Sequence, residues 1–152
     1  MATVIDADRQ RVWRALTTPS ELIRWDDRIL ELLEPAPDYP RPGQHIRWRY
    51  RLGTVPIVMH DRPLEVSTYE KLRSKLSLGL LSLESTHSLA SNGDASKTRL
   101  SLKVLASNSA PVVGGTIDRF DIRRIATEFV DTRLRSLKQW VEEDENRRPA
   151  QR

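Results

Sequence analysis

The segment that most constrains the fold is a long amphipathic stretch near the C-terminus, from about Pro111 to Glu143. Pro111 suits the first turn of a helix, and no other proline follows until Pro149. Its apolar residues recur every three or four positions, which is typical of one helical face. A helix this long and one-sided needs a broad apolar partner, so the rest of the chain must supply a sheet. The apolar positions are Ile122, Ile125, Ala126, Phe129, Val130, Leu134, Leu137, Trp140 and Val141.

The N-terminal segment predicts one short strand followed by two short helices. Residues 3–6 are rich in β-branched side chains and predict the strand. Residues 7–16 place their apolar side chains on one helical face and predict the first helix. Thr18, Pro19 and Glu21 have the spacing of a capping box, with Thr18 as the N-cap of the second helix.

The middle of the chain predicts a series of antiparallel strands. A proline-rich connection over 34–43 is followed by 45–51, where apolar and basic residues alternate. Further strands are predicted over 55–61, 69–77, 81–89 and 98–106, with Pro63 at a bulge or an edge. We therefore predict an α+β fold. A curved antiparallel sheet of six to seven strands wraps around the long C-terminal helix, and two short helices follow the first strand.

Composition limits the chemistry that the chain can perform. Its 152 residues predict one domain over 1–143, followed by a charged, frayed tail over 144–152. The absence of cysteine excludes disulfides, zinc–thiolate sites and cysteine nucleophiles, and three histidines argue against a histidine-rich metal site. We therefore expect no metal and no cofactor. The sequence shows no signal peptide and no membrane-spanning run, which predicts a cytoplasmic protein, either a monomer or a homodimer.

Basic side chains are in modest excess, 25 against 21 acidic ones. On the predicted strands they lie on the outer face of the sheet, whereas the aromatic residues point inward. Nucleic-acid-binding sheets instead interleave aromatics with charges, so we expect a solvated surface and no specific nucleic-acid partner. An anionic membrane or protein partner is the alternative, and Trp13 is expected to be half exposed beside Arg9 and Arg14. The outward basic residues are Arg47, Arg49, Arg51, Lys71, Arg73, Lys75, Arg99 and Lys103.

The order of these elements and several short motifs resemble the START-like or SRPBCC superfamily, in particular its polyketide cyclase/dehydrase branch. The similarity spans about residues 3–143. It rests on residues 5–7, on Val-Trp-Arg-Ala-Leu-Thr-Thr-Pro-Ser-Glu-Leu at 12–22, on Trp25, on Pro42-Gly43, on 98–100 after the Asn-Gly turn, and on 134–138. The resemblance implies a helix-grip fold whose sheet and long helix enclose an apolar tunnel. It implies no shared catalytic motif.

Three classes of function are open to a chain with this resemblance. The first is binding of a hydrophobic small molecule, such as a lipid or a polyketide, in the internal cavity. The second is a polyketide cyclase, aromatase or dehydratase-type enzyme that uses the same cavity. The third is a protein-interaction or chaperone-cofactor-like module that uses the basic outer sheet. The expected cavity residues are Trp25, Trp48, Tyr50, Met59, Leu72, Leu83, Ser85, His87, Leu102, Phe129 and Arg133.

His87, Tyr50 and Arg133 are the candidate catalytic residues within this set. His87 is an ionisable residue on an apolar strand face, and is either a buried neutral histidine or a cavity acid or base. Arg133 interrupts the apolar stripe of the long helix. It either snorkels to solvent or faces the tunnel, where it binds a ligand carboxylate or pairs with Asp26 or Asp61. If it binds ligand, replacing it with leucine should preserve or raise stability.

Gly114 and Gly115 lie near the start of the long helix and weaken it there. They predict either a loop that precedes the helix proper or a flexible portal through which a ligand enters.

Overall fold

The computed structural model describes residues 1–108 and 119–147. Within them, the chain forms an α+β structure with one antiparallel sheet, as predicted. The elements are, in chain order, β1 (Ala2–Ile5), α1 (Arg9–Thr17), α2 (Pro19–Trp25), β2 (Ile29–Leu32), β3 (Ile46–Leu52), β4 (Val55–Ser67), β5 (Lys71–Leu78), β6 (Leu81–Asn92), β7 (Asp94–Asn108) and α3 (Arg119–Arg147).

The sheet has seven strands in the order β1-β7-β6-β5-β4-β3-β2, so strands that follow one another along the chain are neighbours from β2 to β7. β1 is the exception, because it pairs with β7, the last strand. Two-residue turns join β3 to β4 and β5 to β6. Gly53 and Gly79 each adopt a φ of 64° in these turns, a conformation that glycine takes without steric cost. The pairing of β4 with β5 shifts register between Pro63 and Glu65, which confirms the bulge predicted near Pro63.

The edge strand β2 is missing from the sequence prediction. It has four residues, and its side chains do not alternate regularly between buried and exposed positions, so it lacks the periodicity that identifies a strand. Its pairing with β3 holds it in place, although the register shifts between Ile29 and Glu31. The sheet therefore has the upper number of strands expected from the sequence.

Helix α3 packs on the concave face of the sheet, which confirms the prediction made from its periodicity. It lies closest to β7 and β1 and also contacts α1 and α2. Because the helix sits toward the β1–β7 side, the concave face of β3–β6 is free to line an open space. The side chains that α3 buries are Phe129, Val130, Leu134, Leu137 and Val141.

The bounds of α3 differ from those expected. Pro111 lies outside the described residues. At its other end the helix continues to Arg147, so residues 144–147, expected in a frayed tail, are helical. The Asp144 carboxylate accepts hydrogen bonds from the Arg11 guanidinium at 2.8 and 3.0 Å, and this contact holds the last helical turn against α1.

The capping box predicted for α2 does not form. Thr18 is the N-cap, but its side chain makes no capping hydrogen bond. The Glu21 carboxylate instead accepts from the Arg11 guanidinium at 2.9 Å and from the Trp140 indole N–H at 3.1 Å. Glu21 therefore links α1, α2 and α3, and this tertiary contact replaces the local cap.

Candidate functional site

The residues expected to line one cavity border several spaces among the described residues, including an outer cleft, an interior chamber and a second cleft. The outer cleft has a volume of about 540 Å³ and lies between α3, the β3–β4 and β5–β6 turns and the segment before β2. The interior chamber has a volume of about 20 Å³ and lies deeper between the sheet and α3. A second cleft of about 370 Å³ lies between α3 and β7. Phe129 lines both the outer cleft and the interior chamber, so its ring separates them.

The outer cleft combines apolar walls with a basic end. Its volume falls within the range of about 300–1,000 Å³ that small-molecule sites occupy. Arg28, Arg51 and Arg124 contribute positive charges, and Asp27 and Glu128 contribute negative ones. The apolar lining residues are Leu52, Leu78, Leu83, Ile125 and Phe129.

Tyr50 supplies a hydroxyl at the inner end of this cleft. Its side chain is buried, and burial together with the negative charge of Asp26 raises the pKa of the phenol. The Arg28 guanidinium lies close enough to the phenol to oppose that rise. Tyr50 is therefore protonated near neutral pH and can act as a hydrogen-bond donor to a ligand.

A polar stripe crosses three strands at the interior chamber. In the antiparallel registers, Ser74 lies opposite Ser85, and His87 lies opposite Leu72. Asp61 projects from β4 into the same chamber. Three atoms that line it have no hydrogen-bonding partner within the described part of the chain: Asp61 Oδ1, Ser74 Oγ and His87 Nδ1.

Arg133 closes the chamber from the helix side. Its Nη1 pairs with Asp26 Oδ2 at 2.8 Å, and its Nε donates to His87 Nε2 at 3.2 Å. The guanidinium also lies 4.9 Å from the centre of the Trp25 ring and 5.6 Å from that of Phe129. Arg133 therefore faces the interior, and Asp26 is its carboxylate partner. It lines the interior chamber and not the outer cleft.

Asp61 is a buried carboxyl with neutral hydrogen-bond donors. Its Oδ2 accepts from the Tyr39 hydroxyl at 2.8 Å and from the Trp48 indole N–H at 3.2 Å. Burial raises the pKa of this carboxyl, and the two hydrogen bonds oppose the rise. Ser74 is close enough to lower the same pKa, although its Oγ makes no hydrogen bond of normal geometry.

His87 is neutral, because burial and the positive charge of Arg133 hold its pKa well below the usual range. Since Nε2 accepts the hydrogen bond from Arg133, the ring proton is on Nδ1. The chamber thus presents an N–H donor from His87, a carboxyl acceptor from Asp61 and a hydroxyl from Ser74. A space of about 20 Å³ with these groups can hold one water molecule or one hydroxyl group.

The lowered pKa of His87 predicts how the free energy of unfolding depends on pH. The unfolded histidine titrates near pH 6.5, whereas the folded one stays neutral well below that value. Below about pH 6.5 only the unfolded state binds this proton. The free energy of unfolding therefore decreases as the pH falls, by up to about 1.4 kcal/mol per pH unit.

Urea unfolding of wild type and His87→Gln between pH 4.5 and 8 tests this prediction. Glutamine keeps a hydrogen-bond acceptor for Arg133 but does not titrate. The raised pKa of Asp61 acts with the opposite sign and is common to both proteins, so the difference between them isolates His87. His60→Gln is the matched control. Burial also lowers the pKa of His60, but the His60 side chain is partly exposed, whereas His87 is buried. If the difference in the free energy of unfolding between wild type and His87→Gln stays constant across this pH range, the prediction is contradicted.

The structure distributes the expected cavity residues among these spaces. Tyr50, Leu83 and Phe129 line the outer cleft, whereas Leu102 lines the second cleft. Trp25 lines none of the three, because it stacks on Arg133 and donates to the Ala15 carbonyl at 2.8 Å. Gly114 and Gly115 lie outside the described residues. The expected cavity residues that line the interior chamber are Trp48, Met59, Leu72, Ser85, His87, Phe129 and Arg133.

Two surface expectations have different outcomes. Trp13 is buried, not half exposed, because its ring meets the Tyr69 ring edge-on at 6.4 Å. On the outer sheet, Arg49 pairs with Glu31 at 3.0 Å, and carboxylates also lie beside Arg47, Arg51, Lys71 and Arg73. This pairing lowers the net positive charge of the face.

No group of three or more histidine, cysteine, aspartate or glutamate side chains in residues 1–108 and 119–147 is arranged to hold a metal ion. In the same residues, no helix is both long and apolar enough to cross a membrane.

Comparisons with known proteins identify the fold. A START superfamily protein from Mycobacterium smegmatis superposes with a TM-score of 0.74 over 94% of this chain and 95% of its own, at 14% identity. TTHA0849 from Thermus thermophilus has a TM-score of 0.70 over 93% of this chain and 94% of its own, at 21% identity. DynU16, a protein of the dynemicin biosynthetic locus, has a TM-score of 0.65 at 16% identity, and the match covers 93% of this chain and 46% of DynU16.

No protein-family model matches the sequence, and no curated protein matches it. At these low identities the structural likeness establishes the fold and not the activity. The chain therefore has the START-like (SRPBCC) helix-grip fold predicted from its motifs.

Proposed function

We propose that this protein binds a hydrophobic small molecule in the outer cleft. The observation that carries the proposal is the cleft itself, a space of about 540 Å³ between sheet and helix with five apolar lining residues. The likeness in fold to a START superfamily protein supports it, because a helix-grip fold leaves room for a ligand between its sheet and its long helix. The interior chamber, at about 20 Å³, is too small for such a ligand.

The size of the interior chamber and the ion pairs of the outer sheet bear on the two other classes of function. An enzyme that used His87 or Arg133 would need its substrate in the interior chamber, which admits a single oxygen atom, whereas Tyr50 lines the outer cleft. An interaction module that used the basic outer sheet would need unpaired positive charge, whereas Arg47, Arg49 and Arg73 lie beside carboxylates. No observation therefore favours either class over ligand binding.

Binding of N-phenyl-1-naphthylamine, a neutral fluorescent probe, tests the proposal. Ile125 is partly buried and lines the outer cleft, so Ile125→Glu should place a charge against the bound probe. We expect at least about a tenfold loss of affinity, because an unpaired charge is costly beside apolar surface.

Ala126→Glu is the matched control, since the neighbouring residue lines the second cleft and not the outer one. Wild type and Ala126→Glu should bind the probe alike. Loss of binding in Ala126→Glu with retention in Ile125→Glu would place the site at β7 and contradict the proposal. If the probe binds as expected, native mass spectrometry of protein purified from its host would identify the natural ligand.

A further inference from the structure

Arg28 is a half-buried arginine that lines the outer cleft and has no carboxylate partner in the described part of the chain. Within residues 1–108 and 119–147 its guanidinium pairs with no carboxylate; its Nη2 donates to the Thr132 hydroxyl at 3.0 Å. A guanidinium has five N–H donors, so most of those on Arg28 remain available. The paired arginines of comparable burial are Arg11 with Glu21, Arg47 with Glu34, Arg73 with Glu84, and Arg133 with Asp26.

The backbone and side chain of Arg28 are both held in position. Its N–H donates to Asp26 Oδ1 at 3.1 Å, and its carbonyl accepts from the Arg51 N–H at 2.7 Å. Thr132 on α3 fixes the guanidinium, and the Tyr50 phenol lies beside it. The group is half-buried at the wall of the outer cleft. It is therefore pre-organised, so that binding an anion costs little side-chain entropy.

The charges around the cleft favour an anion near Arg28. Asp27 also lines the cleft, but its carboxylate is mostly exposed and lies 3.8 Å from Arg51 Nη2. Glu128 also lines the cleft, one turn before Thr132 on α3, and Arg124 lies one turn before Glu128. The apolar walls lie beside this basic end, and a guanidinium matches the planar, two-oxygen geometry of a carboxylate.

From these observations we infer that the outer cleft takes an amphipathic carboxylate, with its acid on Arg28 and its apolar chain along Leu78, Ile125 and Phe129. The Thr132 and Tyr50 hydroxyls lie beside Arg28 and can complete the hydrogen bonding of the acid. This inference rests on the proposed function, because it assigns a chemical class to the ligand of the same cleft.

Three ligands with the same twelve-carbon chain test the inference by displacing N-phenyl-1-naphthylamine at pH 8 and low salt. They are dodecanoate, dodecan-1-ol and dodecylammonium. We expect dodecanoate to bind at least about tenfold more tightly than dodecan-1-ol, since charge-assisted hydrogen bonds are the stronger ones. Dodecylammonium should bind most weakly.

Arg28→Gln should abolish the preference for dodecanoate over dodecan-1-ol, measured as the ratio of the two affinities within the variant. Arg28→Lys should keep part of it, because the charge remains without the planar fork. Arg49→Gln removes a paired arginine outside the cleft and should keep the full preference for dodecanoate.

The outcomes separate this inference from the proposed function. Equal affinity of wild type for dodecanoate and dodecan-1-ol, or tighter binding of dodecylammonium, would overturn the role of Arg28 while the cleft remained a binding site. A preference for dodecanoate that survives Arg28→Gln would also overturn it. If neither the probe nor any of the three ligands binds wild type, both proposals fail.

Discussion

Replacing Asp26 with asparagine, or Arg133 with methionine, should each lower the free energy of unfolding by about 3–5 kcal/mol. The two side chains form an ion pair at 2.8 Å, and both are largely buried. Either substitution leaves the other charge inside the protein without its partner. Asparagine keeps an acceptor for the Arg28 N–H, and methionine keeps the length and flexibility of the arginine stem, so each change removes mainly the charge.

The double variant Asp26→Asn/Arg133→Met should be more stable than either single variant, because no unpaired charge is left in the interior. Denaturant unfolding of all four proteins gives the coupling energy directly. The matched control is Asp131 and Arg135, an exposed pair on the same helix, whose substitutions should change stability by about 1 kcal/mol or less. Additive losses in the double variant would show that Asp26 and Arg133 do not stabilise each other.

The sequence leaves two cases open for an inward-facing Arg133. Leucine at this position preserves or raises stability only in the case where Arg133 binds a ligand carboxylate, whereas pairing with Asp26 gives the opposite expectation. The periodicity of α3 shows that Arg133 lies in the apolar stripe, but not what it meets there. Asp26 follows α2, far away in the sequence, and only the docking of α2 against α3 brings the two charges together.

Leu100→Ala should cost about 2–5 kcal/mol of stability, whereas Leu105→Ala on the same strand should change it by less than about 0.5 kcal/mol. Leu100 is fully buried on the concave face of β7, and Leu105 is 58% exposed on the other face. The chemical change is identical, so the difference measures burial and the cavity left behind. Thermal or urea unfolding of both variants checks it, and similar losses would contradict the assigned register of β7.

Much of the fold could be predicted because its signals are local and periodic. The alternation in β3, β5 and β6 and the three- and four-residue spacing in α3 identify which side chains face the core. The sequence cannot supply the volume between those side chains. The interior is almost filled because the Phe129 ring and the Arg133 side chain occupy it. The rotamers and packing of these side chains determine the volume that is left.

The residue that we assign to ligand recognition carried no periodic signal. Arg28 stands in the short link before β2, where the helical pattern has ended and no alternation has begun. Its environment is made by Thr132 and Tyr50, which come from distant parts of the chain. Such a residue could be identified only once the packing of α3 against the sheet was known.

The pairing of the first strand with the last sets the order in which this domain can form on the ribosome. Ile5 pairs with Thr98, so the hydrogen bonds of β1 cannot form until nearly all of the sheet has been synthesised. Closing so long a loop is entropically costly, and pairings of this kind are associated with slow folding. Helix α3 lies against β1 and β7 and follows both along the chain. The cleft is therefore the last part of the domain to form. A bound ligand would therefore report that folding had finished.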